Sequence, residues 1–393
     1  MLLLIIGLIL FVGLVIVHEF GHFIMARRNG VGIEEFGIGF PPKLYKKRIH
    51  SPKGDYDFTI NLLPLGGFVR MKGEHDSDTE HGTFGAASLW AKTQIMAAGV
   101  VMNLITAFLL LTLLALIGIP KLVDNQFTVA SDTKIVQQEI IVGQIEKDSP
   151  ASKAGLKQAD HIKNVRPATA TATDYPELRS AKDLTTRTKS LAGREVIVDV
   201  KRQGNQVQLK ATINSSETVA QSAKTDQPKG YLGVYPTDYS LARSTWSAPI
   251  VAGGLIGQFT GLTFQALGHA VQGLGGLIAG ALTGNSSARS AGQAEASSQV
   301  SGPVGIFVLL KDGSTLGYQF ILMIIAVISL TLAIMNILPI PALDGGRLWL
   351  TLATRGIGRP ISQSTEEIIN ASGFIVLLLL IILITIVDVK RFF

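Results

Sequence analysis

The chain has no cysteine and little charge, since Asp, Glu, Lys and Arg make up only 16% of its 393 residues. Without cysteine there is no disulfide framework and no thiolate site, so any zinc must be bound by histidine and carboxylate. Soluble globular domains have about 25% charged residues. The low charge, with 47% hydrophobic residues and a mean hydropathy of +0.36, predicts a membrane protein that carries a soluble portion.

Aromatic residues are also scarce, at 7% of the chain. They do not alternate with basic residues in the way that a surface for single-stranded nucleic acid requires. The net charge of +6 is modest for a chain of this length. We therefore expect a lipid bilayer, and no nucleic acid, as partner.

The first apolar run has no charged residue before Glu19. About 20 apolar residues suffice to cross a bilayer, and this run ends at Arg27 and Arg28. It has no basic residues at its start and no small-residue cleavage site, so it is predicted to be a membrane span and not a signal peptide. A charge in the middle of a span costs about 2.5–3.5 kcal/mol, which calls for a compensating partner.

The sequence His18-Glu19-Phe20-Gly21-His22 can bind such a partner in the form of a metal cation. Histidines four residues apart lie on one helix face, about 6 Å apart along the axis. Two neutral imidazoles at this spacing can bind one Zn²⁺, and Glu19 beside them can act as general base on a zinc-bound water. The alternative interpretation is a set of buried polar groups that pair with one another.

Four membrane-spanning helices are predicted, at residues 1–27, 93–119, 316–340 and 368–389. Basic residues are frequent soon after the first span, so segment 28–92 should be cytoplasmic. The second span then exports residues 120–248, and the third returns the chain, leaving 341–367 cytoplasmic. Residues 249–315 are predicted to be one or two interfacial amphipathic helices with a Ser/Ala/Gly-rich linker at 285–298. A fifth span there would separate the polar motifs around His18 and Asp344.

The exported segment is predicted to contain a compact α/β domain over about residues 137–235. Alternating β-branched and polar residues predict strands at 140–145, 195–201 and 207–212. A short helix should end at Gly155, and Gly204-Asn205 should form a hairpin turn between the last two strands. In the cytoplasmic segment, residues 56–60 and 68–72 flank an apolar stretch and predict a hairpin over about 56–72.

A second motif lies after the third span, in the sequence NILPIPALDGG of residues 336–346. Together with HEFGH, it resembles the pattern of the site-2 protease family of intramembrane zinc metalloproteases, in its bacterial PDZ-containing branch (regulator-of-sigma-E-protease-like). The resemblance implies that His18, His22 and Asp344 bind zinc, that Glu19 is the catalytic base, and that Asn336 positions substrate or water. Three protein ligands leave one position open for water, as a catalytic zinc site requires.

Other segments resemble the same family. Ala97-Ala98-Gly99 followed by Asn103 is similar to its AAGPxxN segment, with Val100 in place of proline. The 56–72 hairpin resembles the family's membrane-re-entrant β-loop, and its strand edge, with Gly66 and Gly67 at the tip, is predicted to bind an extended substrate by β-addition. Residues 149–160, with Ala159 in place of glycine, and residues 231–234 resemble a PDZ module, the latter its carboxylate-binding loop. That module is expected either to bind a peptide C-terminus or to act as a size filter.

We therefore expect a polytopic helical membrane protein with a re-entrant hairpin and one extracytoplasmic PDZ-like domain, located in the bacterial cytoplasmic membrane with its active site towards the cytoplasm. The resemblance implies cleavage of single-span membrane proteins, such as trimmed anti-sigma factors or signal-peptide remnants. A non-catalytic PDZ adaptor with a structural zinc site is the alternative, although it would not need Glu19. A metal transporter is disfavoured because the apolar segments 95–119, 316–340 and 374–387 carry no histidine or carboxylate.

Overall fold

The structure is a computed structural model that describes residues 2–74, 78–202, 204–223, 225, 228–287, 290–292, 295, 302–356 and 362–392. Its chain forms two compact units. The membrane unit comprises Met1–Leu113 and Pro249–Phe393, and the inserted unit comprises Leu114–Ala248. The predicted linker at 285–298 lies in part outside the described residues.

The four predicted spans are helical, as the apolar runs indicated. The second helix begins earlier than predicted because Ser88 caps it, accepting a hydrogen bond from the Ala91 N–H at 3.2 Å. The third ends before Pro339 and Pro341, which have no N–H to continue a helix. These helices are α1 (Leu2–Arg28), α2 (Leu89–Ile117), α8 (Tyr318–Ile337) and α10 (Gln363–Phe392).

The segment predicted as one or two interfacial helices contains one long helix, α6, over Ala248–Thr283. By length and composition its Ala248–Gly280 portion is a fifth candidate span among the described residues, and the least hydrophobic of the five. Although α6 contains many glycines, it is continuous.

Two shorter helices of this unit are α7 (Pro303–Gly313) and α9 (Asp344–Gly356). Helix α7 packs Leu310 against apolar side chains of α1 and α8. The buried carboxylate of Asp388, near the end of α10, accepts hydrogen bonds from the backbone N–H groups of Gly302 and Gly305 at 2.9 and 2.8 Å. Asp388 thereby caps the start of α7 from a distant part of the chain.

The segment between α1 and α2 forms a sheet of two bent strands, β1 (Ile33–Ile49) and β2 (Tyr56–Met71). Residues 57–60 of β2 pair on one side with 35–38 and on the other with 45–48. Residues 67–71 pair with 33–38. The order across the sheet is therefore 43–49, 56–61, 33–38 and 67–71.

The predicted hairpin over 56–72 is wrong in its pairing. Both edges of residues 57–60 are occupied by β1, so these residues cannot pair with 67–71. The first part of β1 lies between the two predicted hairpin arms, and Phe36 faces Phe58 on one side and Val69 on the other. Residues 67–71 are consequently an edge of the sheet.

The inserted unit contains a six-stranded antiparallel sheet in the order β3-β8-β4-β5-β6-β7. The three predicted strands are confirmed, although β4 begins six residues earlier than predicted and Asn205 opens β7 instead of lying in the turn. A core of fully buried side chains such as Ile140, Ile162 and Val198 fills one face of the sheet. The strands are β3 (Ile119–Pro120), β4 (Lys134–Ile145), β5 (His161–Pro167), β6 (Glu195–Arg202), β7 (Asn205–Thr212) and β8 (Val234–Arg243), and the helices are α3 (Pro150–Ala154), α4 (Ala181–Ser190) and α5 (Ser216–Ser222).

The short helix α3 ends as predicted, with Gly155 in the left-handed conformation at a φ of 79°. Ala159, which stands where the resembling pattern has glycine, also adopts a positive φ of 65°. A side chain at such a φ costs about 1–2 kcal/mol, which accounts for glycine in that pattern. The next residue, Asp160, is buried and accepts hydrogen bonds from Arg202 at 2.6 and 2.7 Å.

Candidate active site and metal centre

Three side chains from distant parts of the membrane unit meet at one point. His18 and His22 lie on the same face of α1, and Asp344 is the first residue of α9. The Nε2 atoms of the histidines are 3.2 Å apart, and Oδ2 of Asp344 lies 2.9 Å from the first and 3.1 Å from the second. Among the described residues, these three form the group able to hold a metal ion.

The chemistry of this donor set fits a divalent cation. Nδ1 of His22 lies 2.8 Å from the carbonyl oxygen of Ile95, which can only accept a hydrogen bond, so Nδ1 carries the proton. In the neutral ring, Nε2 then presents a lone pair towards His18 and Asp344. Lone pairs that converge at about 3 Å repel one another unless a cation lies between them. Because both histidines are more than 90% buried, water cannot readily relieve this repulsion.

The spacing of the donors also fits zinc. Ligand atoms about 2.0–2.1 Å from a tetrahedral ion are about 3.3 Å apart. The observed separations of 2.9–3.2 Å among His18, His22 and Asp344 are close to this value. Three protein ligands leave one tetrahedral position for water or substrate, which is the arrangement of a catalytic and not of a structural zinc site.

Glu19 lines a cavity of about 120 Å³ together with His22 and Asp344. Its carboxylate is within hydrogen-bonding reach of the Val69 N–H on the edge strand. The same cavity is lined by Arg347, one turn beyond Asp344, whose guanidinium lies 4.6 Å from the ring centre of Phe84. The potential base and two of the three potential ligands therefore share one small cavity.

The sheet edge at residues 67–71 runs alongside Glu19. A Cβ atom on Gly67 would lie 3.6 Å from Cγ of Glu19, so the edge and α1 are in close approach. The outward N–H groups of this edge are those of Val69, directed at Glu19, and Met71, which donates to Glu74 at 2.8 Å. The strand edge, the base and the donor set are thus adjacent.

The three residues predicted to bind substrate do not all lie beside Glu19. Gly67 lies beside Glu19, and Gly66, at a φ of +125°, approaches Val15 of α1 and Phe40 of β1. Asn336 is half-buried in the last turn of α8, and the described residues that line the cavity do not include it. The role predicted for Asn336 stays a prediction.

Gly99 is important in the site for a reason that the sequence did not reveal. A Cβ atom on Gly99 would lie 2.5 Å from Cε1 of His18 and 2.5 Å from Nε2 of His22. On the other helix, a Cβ atom on Gly21 would lie 2.6 Å from the carbonyl oxygen of Ala98. The glycines let α1 and α2 approach closely enough for the imidazoles to contact the α2 backbone, as small residues do between membrane helices.

The chain is similar to known proteins along nearly its whole length. The family model described as peptidase family M50 matches residues 6–380. The zinc metalloprotease RasP of Shouchella clausii is 28% identical, covering 97% of this chain and 97% of its own. The regulator of sigma-W protease RasP of Bacillus subtilis is 26% identical, covering 98% of each chain. A Clostridium acetobutylicum protein that also has a zinc metalloprotease name is 30% identical over 98% of this chain and 96% of its own.

These matches extend over nearly the whole chain, and the several apolar helices are those of a multi-pass membrane protein. They do not favour the non-catalytic adaptor. The chain therefore belongs to peptidase family M50, the site-2 proteases, and is an intramembrane zinc metalloprotease.

Proposed function

We propose that His18, His22 and Asp344 bind the catalytic zinc ion and that Glu19 is the general base in cleavage of membrane-spanning substrates. The observation that carries this assignment is the convergence of three ligand atoms within 3.2 Å, beside a carboxylate in the same cavity. A bound zinc ion supplies a Lewis acid for the scissile carbonyl and lowers the pKa of its water towards about 7.

The residues of the chain then move the proton. Glu19 takes a proton from the attacking water on its carboxylate and delivers it to the leaving amine. Before substrate binds, the Val69 N–H lies within hydrogen-bonding reach of this carboxylate. The side chain of Asp344 is 31% exposed, so water can enter from its side of the site.

Substrate binding is assigned to the sheet edge at residues 67–71. A helix conceals its peptide bonds in its own hydrogen bonds, so cleavage requires a locally extended segment. An extended segment can add to an open strand edge through main-chain hydrogen bonds. This edge runs past Glu19, and Gly67 has no side chain to separate an added strand from the base.

The topology follows from which helix ends meet. Arg27 and Arg28 end α1, and basic residues in the following sheet favour a cytoplasmic location for this side. Asp344 follows α8 and contacts His18 and His22 near the same end of α1. Helices α1 and α8 therefore run in the same direction, and α2 runs in the opposite one. The inserted unit is then extracytoplasmic, and the active site is nearer to the cytoplasm.

Helix α6 lies along the membrane surface under this topology. The end of α2 and the start of α8 are on the same side, so the chain between them must cross an even number of times. A crossing by α6 would need a second span before α8, but α7, the longest helix described between them, has only 11 residues against about 20 for a span. The hairpin-like sheet between α1 and α2 then approaches the membrane from the cytoplasmic side.

Single introduced cysteines test this topology. The chain has no cysteine of its own, so any thiol labelling comes from the introduced residue. Cysteines at Lys182, Trp246 and Gly284 should be labelled in intact cells by a maleimide that does not cross the membrane. A cysteine at Lys53 should be labelled only after the cells are opened. If Gly284→Cys is protected in intact cells while Trp246→Cys reacts, α6 crosses the membrane and the proposed topology is wrong.

The inserted unit is assigned as the PDZ-like domain. Its segment 231–234 packs against the start of α3, where the Ala151 N–H donates to the carbonyl oxygen of Leu232 at 2.9 Å. The carboxylate of Glu146 already accepts from the Gly230 N–H at 3.1 Å, so the carboxylate of a bound peptide would have to replace it there.

Titration of the purified protein with peptides tests whether this domain binds a peptide C-terminus. A peptide with a free C-terminal carboxylate should bind more tightly than the same peptide with an amidated C-terminus. Equal binding of the two peptides would contradict carboxylate recognition and would leave the role of a size filter.

The physiological substrates are assigned to the class of single-span proteins that regulate transcription. The Bacillus subtilis relative is called a regulator of sigma-W protease, and it matches along its whole length. An anti-sigma factor that has already lost its extracytoplasmic part would present a free segment to the sheet edge. Signal-peptide remnants have the same chemistry, that of a short apolar helix with little outside the membrane.

Metal dependence of cleavage tests the proposed function. Purified protein should contain about one zinc ion per chain and cleave a single-span substrate, and a chelator should abolish cleavage until zinc is restored. Asp344→Ala should lose both zinc and cleavage, because only two ligands remain. Asp388→Asn alters another buried carboxylate of the same unit, which caps α7, and should keep both. Cleavage by zinc-free protein would contradict the assignment.

A further inference from the structure

Asn103 is a fully buried polar residue in the middle of α2, on the same helix face as Gly99. Its side-chain amide lies 3.1 Å from Nδ1 of His18. No other polar side chain among the described residues contacts this nitrogen. A buried amide in a membrane span is costly, so its position beside Nδ1 of His18 requires a physical reason.

The contact with Asn103 determines which ring nitrogen of His18 carries the proton. A histidine that binds metal through Nε2 must carry its proton on Nδ1, and that N–H then needs an acceptor. His22 meets this requirement with the carbonyl oxygen of Ile95. The corresponding acceptor for His18 can come from Asn103, whose amide has an oxygen as well as a nitrogen.

The amide is free to present that oxygen. With Nδ2 directed at His18, the buried Oδ1 of Asn103 has no hydrogen-bond partner among the described residues. A half-turn about the last side-chain bond exchanges the two atoms without breaking any hydrogen bond of Oδ1. Oδ1 then accepts a hydrogen bond from the Nδ1–H of His18. Nε2 of His18 directs its lone pair towards Nε2 of His22 and Oδ2 of Asp344.

We propose that Asn103 is a positioning residue that fixes the Nδ1–H tautomer and the ring orientation of His18, and thereby sets the zinc affinity of the site. This inference rests on the assignment of His18 as a zinc ligand. The backbone carbonyl of Asn103 accepts a hydrogen bond from the buried Ser329 hydroxyl of α8 at 2.8 Å, a contact that does not use the side-chain amide. Helices α1, α2 and α8 therefore meet at this residue.

Zinc affinity measured by competition with a chelator tests the proposal. Asn103→Leu keeps the approximate size but removes the acceptor, and should weaken zinc binding about 10–100-fold, as loss of a partner to a metal-bound histidine does. Asn103→Asp keeps an oxygen at this position and should bind zinc within about threefold of wild type or more tightly. Rescue by Asp separates loss of the acceptor from loss of packing.

Ser329→Ala is the matched control, since it removes a buried polar group that contacts Asn103 but not His18. It should leave the zinc affinity unchanged. Equal zinc affinity in Asn103→Leu and wild type would overturn the proposal, as would equal weakening by Asn103→Asp and Asn103→Leu. Absence of zinc from wild-type protein would instead contradict the proposed function, so the two failures are distinguishable.

Discussion

Replacing Glu19 by Gln is expected to lower the rate of substrate cleavage about 10²–10⁴-fold while the zinc content stays near that of wild type. Gln has almost the same shape, and its carbonyl oxygen can still accept from the Val69 N–H. It cannot take up a proton from water, however, so the proton transfer to the leaving amine is lost. Glu19 supplies none of the three converging ligand atoms, so zinc binding should not depend on it.

The measurement compares single-turnover cleavage and metal content in the same purified preparations. Glu34→Gln is a suitable control, because Glu34 is exposed on β1 in the same unit and the described residues that line the cavity do not include it. It should cleave and bind zinc as wild type does. Cleavage by Glu19→Gln at more than a tenth of the wild-type rate would show that another group acts as the base.

Replacing Gly99 by Ala is expected to abolish zinc binding and cleavage together, although only one methyl group is added. That methyl would lie 2.5 Å from Nε2 of His22 and Cε1 of His18, well inside van der Waals contact. The imidazoles can avoid it only by turning away from Asp344, or α1 and α2 must separate. Either response moves the ligand atoms apart, and we expect a loss of zinc affinity of at least about 100-fold.

Gly13→Ala provides the matched comparison within α1. A Cβ atom at Gly13 would meet nothing within 4 Å. Alanine is the better helix former by about 1 kcal/mol, so this variant should bind zinc and cleave normally. Zinc affinity should be measured for both variants by chelator competition. Wild-type affinity in Gly99→Ala would mean that the two imidazoles do not occupy the observed position when zinc is bound.

Local patterns in the sequence were enough to predict the spans and the donor pair. Spacing by four residues places His18 and His22 on one helix face, whatever surrounds them. The NILPIPALDGG motif indicated Asp344 only through its resemblance to a family, because a turn sequence by itself does not show what its carboxylate contacts. The structure brings Asp344 to the histidines across more than 300 residues.

Features that depend on pairing between distant segments were not predictable in the same way. Residues 56–60 and 68–72 have the composition of two hairpin strands, and no local signal shows that residues 33–38 insert between them. The same limit applies to α2, where Gly99 and Asn103 are ordinary residues for a membrane helix until α1 is placed against them. Their one-turn spacing on α2 and the resemblance of residues 97–103 to a family segment are the sequence signals that could have indicated a shared role.

The sheet edge to which substrate binding is assigned has a consequence for substrate selection. The Val69 N–H lies within hydrogen-bonding reach of the Glu19 carboxylate and the Met71 N–H donates to Glu74, so an incoming strand competes for both N–H groups and adds few new hydrogen bonds. Docking therefore yields little net enthalpy to offset the unwinding of the substrate. Segments rich in glycine, or in other residues that weaken a helix, lose the least on extension and should be preferred over uniformly leucine-rich ones. Discrimination then resides mainly in the plasticity of the substrate and only secondarily in its side-chain identity.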